Sequence, residues 1–284
     1  MIPFTCRLRD ATRTPIIRNE DVWEYAEALV GDYKPSLLKE PGPINVEHFL
    51  ESYLGATVDY QDLYYEKGEP PIAGATVFND EAIRVFDRAN KCTKVIAVPA
   101  GTILIDNSTL AAKYKGYAAF TGLHEGGHFT MHPEVYRRDP AQAGLRETVP
   151  KRAGLVCCRR STIIGLRLWG RRLTPEQNRE HQANTFAAFA AMPRQTFIPA
   201  AREMIRAAGF EDGIFADNEY DWECDLALEK LCTALSELYG TSYTAVEIHL
   251  RQLNLVMNVI FSRSSIARYS SESAPILALI SSFV

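Results

Sequence analysis

Apolar positions first recur at helical spacing. After Asn19, which can cap a helix, Val22, Ala26, Leu29 and Val30 fall on one stripe, and Gly31 is a natural stop. Pro41-Gly42-Pro43 breaks the chain. Asn45 then opens a second helix that turns Val46, Phe49, Leu50, Tyr53 and Leu54 inward and ends at Gly55. From about residue 72 the period shortens. Ala73 to Phe78, Ala82 to Phe86, Val95 to Val98 and Thr102 to Asp106 are runs rich in branched residues, set apart by Asn, Pro and Gly. They read as strands, and their pairing order is not legible.

A helical stretch then begins at Ser108 or Thr109 and runs to Met131, with Pro133 ending it. Residues 133–172 are less regular and distinctly basic, from Arg137 to Arg172 against only Glu134, Asp139 and Glu147. Thr174-Pro175-Glu176-Gln177 is a helix start with cap, proline in the first turn and Gln at the capping-box position. Its helix passes Glu180, Ala183 and Phe186 and reaches about Ala191 before Met192-Pro193 interrupts it. Two more helices are expected, marked by Leu228, Leu231, Leu235 and Leu238, then by Val246, Leu250 and Leu253, with Gly240-Thr241-Ser242 turning between them. A Ser-rich tail follows from about Ser262. The expected class is α+β, mainly helical, with a small sheet packed on the helix that ends at Met131. The expected divisions are 1–193, 194–262 and 263–284.

The chain of 284 residues is long enough to bury a substantial core, and 46% apolar with 23% charged residues is ordinary globular composition. A formal net charge of -4 supplies no bulk attraction to nucleic acid or anionic membrane. Met1 to Arg7 has no basic head followed by an apolar run, and Ala274 to Leu279 is far too short to span a bilayer. Six cysteines without a Cys-x-x-Cys pair suggest reduced thiols and a cytoplasmic location, with Cys157-Cys158 read as ordinary buried thiols.

The chemistry concentrates in His124-Glu125-Gly126-Gly127-His128. Residues four apart share a helix face, so His124 and His128 can aim both imidazoles at one ion. Glu125, one residue round, reaches a water beside the ion and can act as general base. Gly126 and Gly127 together cost on the order of 2 kcal/mol of helix propensity relative to alanine, which makes sense only where something must approach closely. A third ligand is needed. His132 sits about 12 Å along the axis from His124 and reads as a helix C-terminal histidine favourable to the dipole. The metzincin pattern would place glycine at 131 and histidine at 134, where this chain has Met131 and Glu134. Glu180 is the leading candidate; Cys157 or Cys158 would suit a softer site, and Glu134 comes next. Asn184, one turn beyond Glu180, can hydrogen-bond the back nitrogen of a ligating histidine. No Glu-Gly-Cys ligand motif of the peptide deformylase kind is present.

Two segments, Phe120 to His132 and Glu180 to Pro193, resemble the ImmA/IrrE metallopeptidases of bacteria and their mobile elements. The second is the more diagnostic, through its Glu-x-x-Ala-Asn-x-Phe-Ala core and Met-Pro ending, and the likeness covers roughly residues 20 to 255. Family members usually carry Leu at the position of Gly126 and Ala at that of Leu123. The resemblance implies a zincin-like fold with one Zn2+ per chain held by His124, His128 and Glu180, and Glu125 as base. It further implies a protein substrate, a helix-turn-helix repressor whose cleavage derepresses stress or mobile-element genes. The run 102–106 is the expected strand edge for pairing with an extended substrate.

Two other readings remain open. A metal-dependent regulator that binds its partner without cutting it would carry the same residues. A DNA-binding regulator would use the basic insert or the last two helices, whose outline resembles a helix-turn-helix. The last helix offers only His249, Arg251 and Gln252 as readers beside Glu247, after an acidic segment from Glu211 to Glu229, so direct nucleic-acid binding is not expected.

Overall fold

The computed structural model describes residues 1–111, 116–137, 155–159 (main chain), 173–218 and 221–258. Helix α1 (Asn19–Tyr33) buries Val22, Ala26, Leu29 and Val30, the stripe its spacing predicts. Its ends differ from expectation. Arg18, not Asn19, is the cap, with its N–H donating to Asp21 at 3.1 Å, and the helix runs through Gly31 to Tyr33. Asn45 does cap the next helix, accepting from the His48 N–H. That helix, α2 (Val46–His48), widens into a π turn, Phe49–Tyr53, which buries Phe49 and Leu50.

The strands include elements that the sequence pattern hid. Strand β1 (Thr57–Gln61) lies parallel to β5 (Thr102–Asp106), which pairs antiparallel on its other side with β2 (Ile72–Val77), and β2 pairs antiparallel with β6 (Leu155–Arg159). The order is β1-β5-β2-β6. The run 102–106 is therefore interior, with both main-chain edges occupied, and cannot accept a substrate strand; that expectation is corrected. Strands β3 (Glu81–Asp87) and β4 (Cys92–Val98) form a separate hairpin. Period-2 alternation gives β2 two jobs: Ala75 and Val77 pack with the hairpin's Ile83 and Val85 in a small cluster, while Gly74 and Thr76 face the helix below.

That helix, α3 (Tyr117–Met131), does not begin at Ser108 or Thr109. Asp106 instead caps a short 3-10 turn over Asn107–Leu110, and residues 112–115 lie outside the described residues. Gly116 precedes α3 with φ of 74°, and a Cβ there would meet the Thr241 main chain at 2.2 Å, so both conformation and space require glycine. After α4 (Pro133–Tyr136), most of the basic insert lies outside the described residues. Helix α5 (Pro175–Ala191) starts with the expected Thr174/Gln177 capping box and ends at Met192-Pro193.

Three helices follow rather than two: α6 (Arg194–Ala207), α7 (Trp222–Tyr239) and α8 (Tyr243–Gln252), with Gly240 left-handed between the last pair. Proline at 199, within α6, hid the first of them. Strands β7 (Phe215–Asp217) and β8 (Val256–Asn258) pair in parallel beside them. One continuous hydrophobic cluster joins Leu29, Phe49, Ile105, Leu123, Phe186, Phe197, Leu231 and Leu250, on both sides of residue 193. The expected tail 263–284 lies outside the described residues. The architecture is mixed α+β, and no helix among the described residues is long and apolar enough to cross a membrane.

Candidate metal centre

Helices α3 and α5 pack closely because both present small residues. A Cβ on Gly127 would lie 3.2 Å from the Ala183 Cα and 3.1 Å from the Phe186 ring, and one on Gly126 would lie 2.8 Å from Leu50. The close approach implied by the paired glycines is present at both. It brings Glu180 of α5 beside the two imidazoles of α3. His124 Nε2 and His128 Nε2 are 3.1 Å apart, Glu180 Oε1 is 3.3 Å from His128 Nε2, and Glu180 Oε2 is 3.4 Å from His124 Nε2. His124 and His128 are fully buried, and the Glu180 side chain is 16% exposed.

These separations suit a metal. Ligands at roughly 2.0–2.1 Å from a tetrahedral zinc stand about 3.3 Å from one another. The donors' hydrogens point the same way. Asn184 Oδ1 accepts from His124 Nδ1 at 2.9 Å, as expected of Asn184, so in the neutral ring the Nε2 lone pair is bare. Glu180 Oε2 is buried with no hydrogen-bond partner. Two imidazoles and a carboxylate oxygen converge on one point and form a group that could hold a metal ion. His124, His128 and Glu180 form the one such group among the described residues.

Electrostatics follow from the crowding. Burial works against charge on His124, but its contact with Glu180 outweighs this and raises its pKa above the ordinary value. Burial, helped by neighbouring His124, lowers that of His128 despite Glu180. Burial also opposes ionisation of Glu180, yet His128 and His124 overcome it and hold the carboxyl well below the usual range.

Glu125 points to the sheet. Its Oε2 accepts from the Thr76 hydroxyl at 2.6 Å, and Oε1 is buried and unpartnered. Burial pushes this carboxyl up to about 8, with His124 and Thr76 pulling the other way. Gly74 makes room, since a Cβ there would stand 3.0 Å from Glu125 Oε1. Sequence reasoning missed Thr76; the signal was a lone hydroxyl two residues after glycine in an otherwise apolar strand.

His132 is corrected. It is not a charged helix-end residue but a fully buried ring, 2.9 Å from both His128 Nδ1 and Gln182 Oε1, and burial lowers its pKa well below the ordinary value. Glu134 pairs with Arg9 at 3.0 Å and does not join the metal group. Cys157 and Cys158 fall in β6, and their side chains lie outside the described residues. Arg179, also missed, is buried; it donates to the Tyr136 hydroxyl at 2.7 Å and to Thr14 at 2.6 Å, tying the start of α5 to α4 and the N-terminal segment.

In α8, His249 is buried and donates to the Met192 carbonyl at 3.1 Å, while Arg251 is paired with Asp217 and Glu247. Two of the supposed base readers are thus committed inside the fold. No family model, curated protein or solved structure matches the chain.

Proposed function

We propose that the chain is a zinc-dependent endopeptidase of the zincin-like fold, with one Zn2+ held by His124, His128 and Glu180. The observation that carries this reading is the triangle of 3.1, 3.3 and 3.4 Å between their donor atoms, with Glu125 next in sequence to the first ligand. Three protein ligands are what catalytic zinc sites use, leaving a position for water or substrate. When bound there, zinc supplies Lewis acidity, polarising a peptide carbonyl and bringing the pKa of a water toward neutrality.

The chain's own residues do the rest. Thr76 occupies Glu125 Oε2, so Oε1 is the atom that takes the proton from the attacking water. The same atom then delivers that proton to the leaving amide nitrogen as the C–N bond breaks. Without a cation, a carboxyl pushed up to about 8 is largely protonated at neutral pH and is no base; a dication beside it favours the carboxylate. Base strength is thereby tied to metal occupancy. An extended substrate belongs at an outer strand, and β6 adjoins the strand that carries Thr76.

The substrate implied by the resemblance of residues 120–132 and 180–193 to ImmA/IrrE metallopeptidases is a helix-turn-helix repressor, cleaved in the cytoplasm to derepress its genes. The test combines metal analysis with Glu125→Gln. About one zinc per chain is expected, retained in the variant, with repressor cleavage abolished. Equal cutting by wild type and variant would refute the mechanism.

A further inference from the structure

A buried polar chain leads away from the metal centre and ends at the N-terminal segment. We propose that His132, Gln182 and the Pro15 carbonyl form a directional hydrogen-bond relay that sets the tautomer of His128. His132 and Gln182 are then positioning residues for the metal centre, a role that rests on the zinc-site reading above.

The direction of every bond follows from its far end. The Pro15 carbonyl can only accept, and Gln182 Nε2 donates to it at 2.8 Å. Turning that amide round would set two oxygens against each other. Gln182 Oε1 therefore faces His132, and since it can only accept, the His132 Nε2 at 2.9 Å carries a hydrogen. In the neutral ring Nδ1 is then the acceptor, and the group 2.9 Å from it is His128 Nδ1, which must donate. This leaves His128 Nε2 bare, and it is the atom that lies 3.1 Å from His124 Nε2 and 3.3 Å from Glu180 Oε1. Reversing any link would place a hydrogen where the cation has to sit.

The relay is built into the fold. His128 and His132 are fully buried and Gln182 is 3% exposed, so water does not compete for these bonds. Its terminus is held as firmly. Pro15 bridges Arg9, the Ile16 N–H donates to the Leu8 carbonyl at 2.8 Å, and Thr14 accepts from the buried Arg179. His124 has its own fixer in Asn184 on α5, so each ligating imidazole is oriented by a separate acceptor, that of His128 being His132 just past the end of α3.

The test uses the full chain with 15N-labelled histidine, in long-range proton–nitrogen spectra at mildly alkaline pH, metal-free and with zinc. Metal-free wild type is expected to show His128 as the Nδ1–H tautomer and His132 as Nε2–H. In His132→Phe and Gln182→Leu, His128 should shift toward the Nε2–H form, and zinc affinity measured by chelator competition should fall about 10- to 100-fold. His132→Gln, whose carbonyl can accept from His128 Nδ1, should recover most of both. An Nε2–H tautomer at His128 in wild type would overturn the relay, as would unchanged tautomer and affinity in both variants. The wild-type spectrum decides even where a variant does not fold. A wild type that shows the expected tautomers but takes up no zinc would sink the metal reading alone.

Discussion

Replacing Gly127 by alanine separates helix stability from metal affinity. On propensity alone the change should stabilise α3 by about 1 kcal/mol. The new methyl, however, would stand 3.1 Å from the Phe186 ring and 3.2 Å from the Ala183 Cα. Carbon atoms prefer about 3.5–4.0 Å, so α5 must retreat by a few tenths of an ångström. Overpacking of this kind typically costs about 1–3 kcal/mol, leaving a net loss of about 0–2 kcal/mol. Glu180 lies on α5 one turn before Ala183, and zinc sites tolerate only about 0.2 Å of error in ligand distance. The affinity should therefore fall by about tenfold or more, beyond what stability alone suggests. Gly126→Ala is the control, since its methyl crowds only a side-chain end, the Leu50 Cδ2 at 2.8 Å, with Leu54 Cδ1 at an ordinary 3.5 Å and no atom of α5 in reach. It should leave zinc affinity within about twofold of wild type and stability near unchanged, propensity offsetting a rotamer cost of about 1 kcal/mol. Urea unfolding of the metal-free chains and competition with a chromophoric chelator measure both quantities. Wild-type zinc affinity in Gly127→Ala, or an equal loss in Gly126→Ala, would refute the claim that the contact with α5 sets the ligand geometry.

Glu180→Ala should lose zinc, and with it the upward shift in melting temperature that zinc gives the wild type; at a hundredfold excess over Kd that stabilisation is about 2.7 kcal/mol. Full zinc occupancy in the variant, by elemental analysis, would move the third-ligand role elsewhere. His249, far from this chemistry, sets a pH dependence of stability. Burial, aided by Arg194, lowers its pKa to about 4 although the Met192 carbonyl pulls the other way. Below the ordinary histidine value the unfolded chain takes up a proton that the folded one refuses, so stability is present at neutral pH and lost as pH falls toward about 4. At 1.36 kcal/mol per unit this amounts to about 2 kcal/mol between about pH 7 and pH 5. His249→Gln should flatten that part of the profile in denaturant titrations, and an unchanged slope would show that His249 is not its source.

How far the fold was legible varied with the physical signal. Strong local codes survived: the Thr174/Gln177 box, the Met192-Pro193 break and the Asn45 cap all sit where their side-chain chemistry puts them. Boundaries governed by tertiary contact did not. Gly31 looked like a stop but α1 continues, and the start of α3 is decided by Gly116 lying against the Thr241 main chain, a partner more than a hundred residues away. Strand β1 was missed because Thr57 to Gln61 is only partly buried, and its partner β5 supplies the reason to be extended. The same pairing closed β5 to substrate. A strand's place in a sheet is not written in its own residues.

The site divides along the same line. His124, Glu125 and His128 follow from spacing on one helix, and the paired glycines announced only that something comes close. Glu180 and Asn184 needed that second helix to be recognised, which the capping box and small Ala183 allowed. Thr76, His132 and Gln182 were invisible as partners, because each matters only through an atom contributed from elsewhere: Glu125 Oε2, His128 Nδ1 and the Pro15 carbonyl. Yet these are the groups that decide where hydrogens lie. A histidine pair on a helix is compatible with a shared proton, with a surface patch or with a metal. Once Asn184 takes the hydrogen on one ring and His132 that on the other, both neutral rings turn bare nitrogens toward each other at 3.1 Å and toward a carboxylate at 3.3 and 3.4 Å. Buried donors left unpaired are costly, and a positive charge between them, a proton or a metal ion, removes that cost. The fold holds the donors there through bonds on their far sides, which makes the arrangement a demand for positive charge rather than an accident of packing.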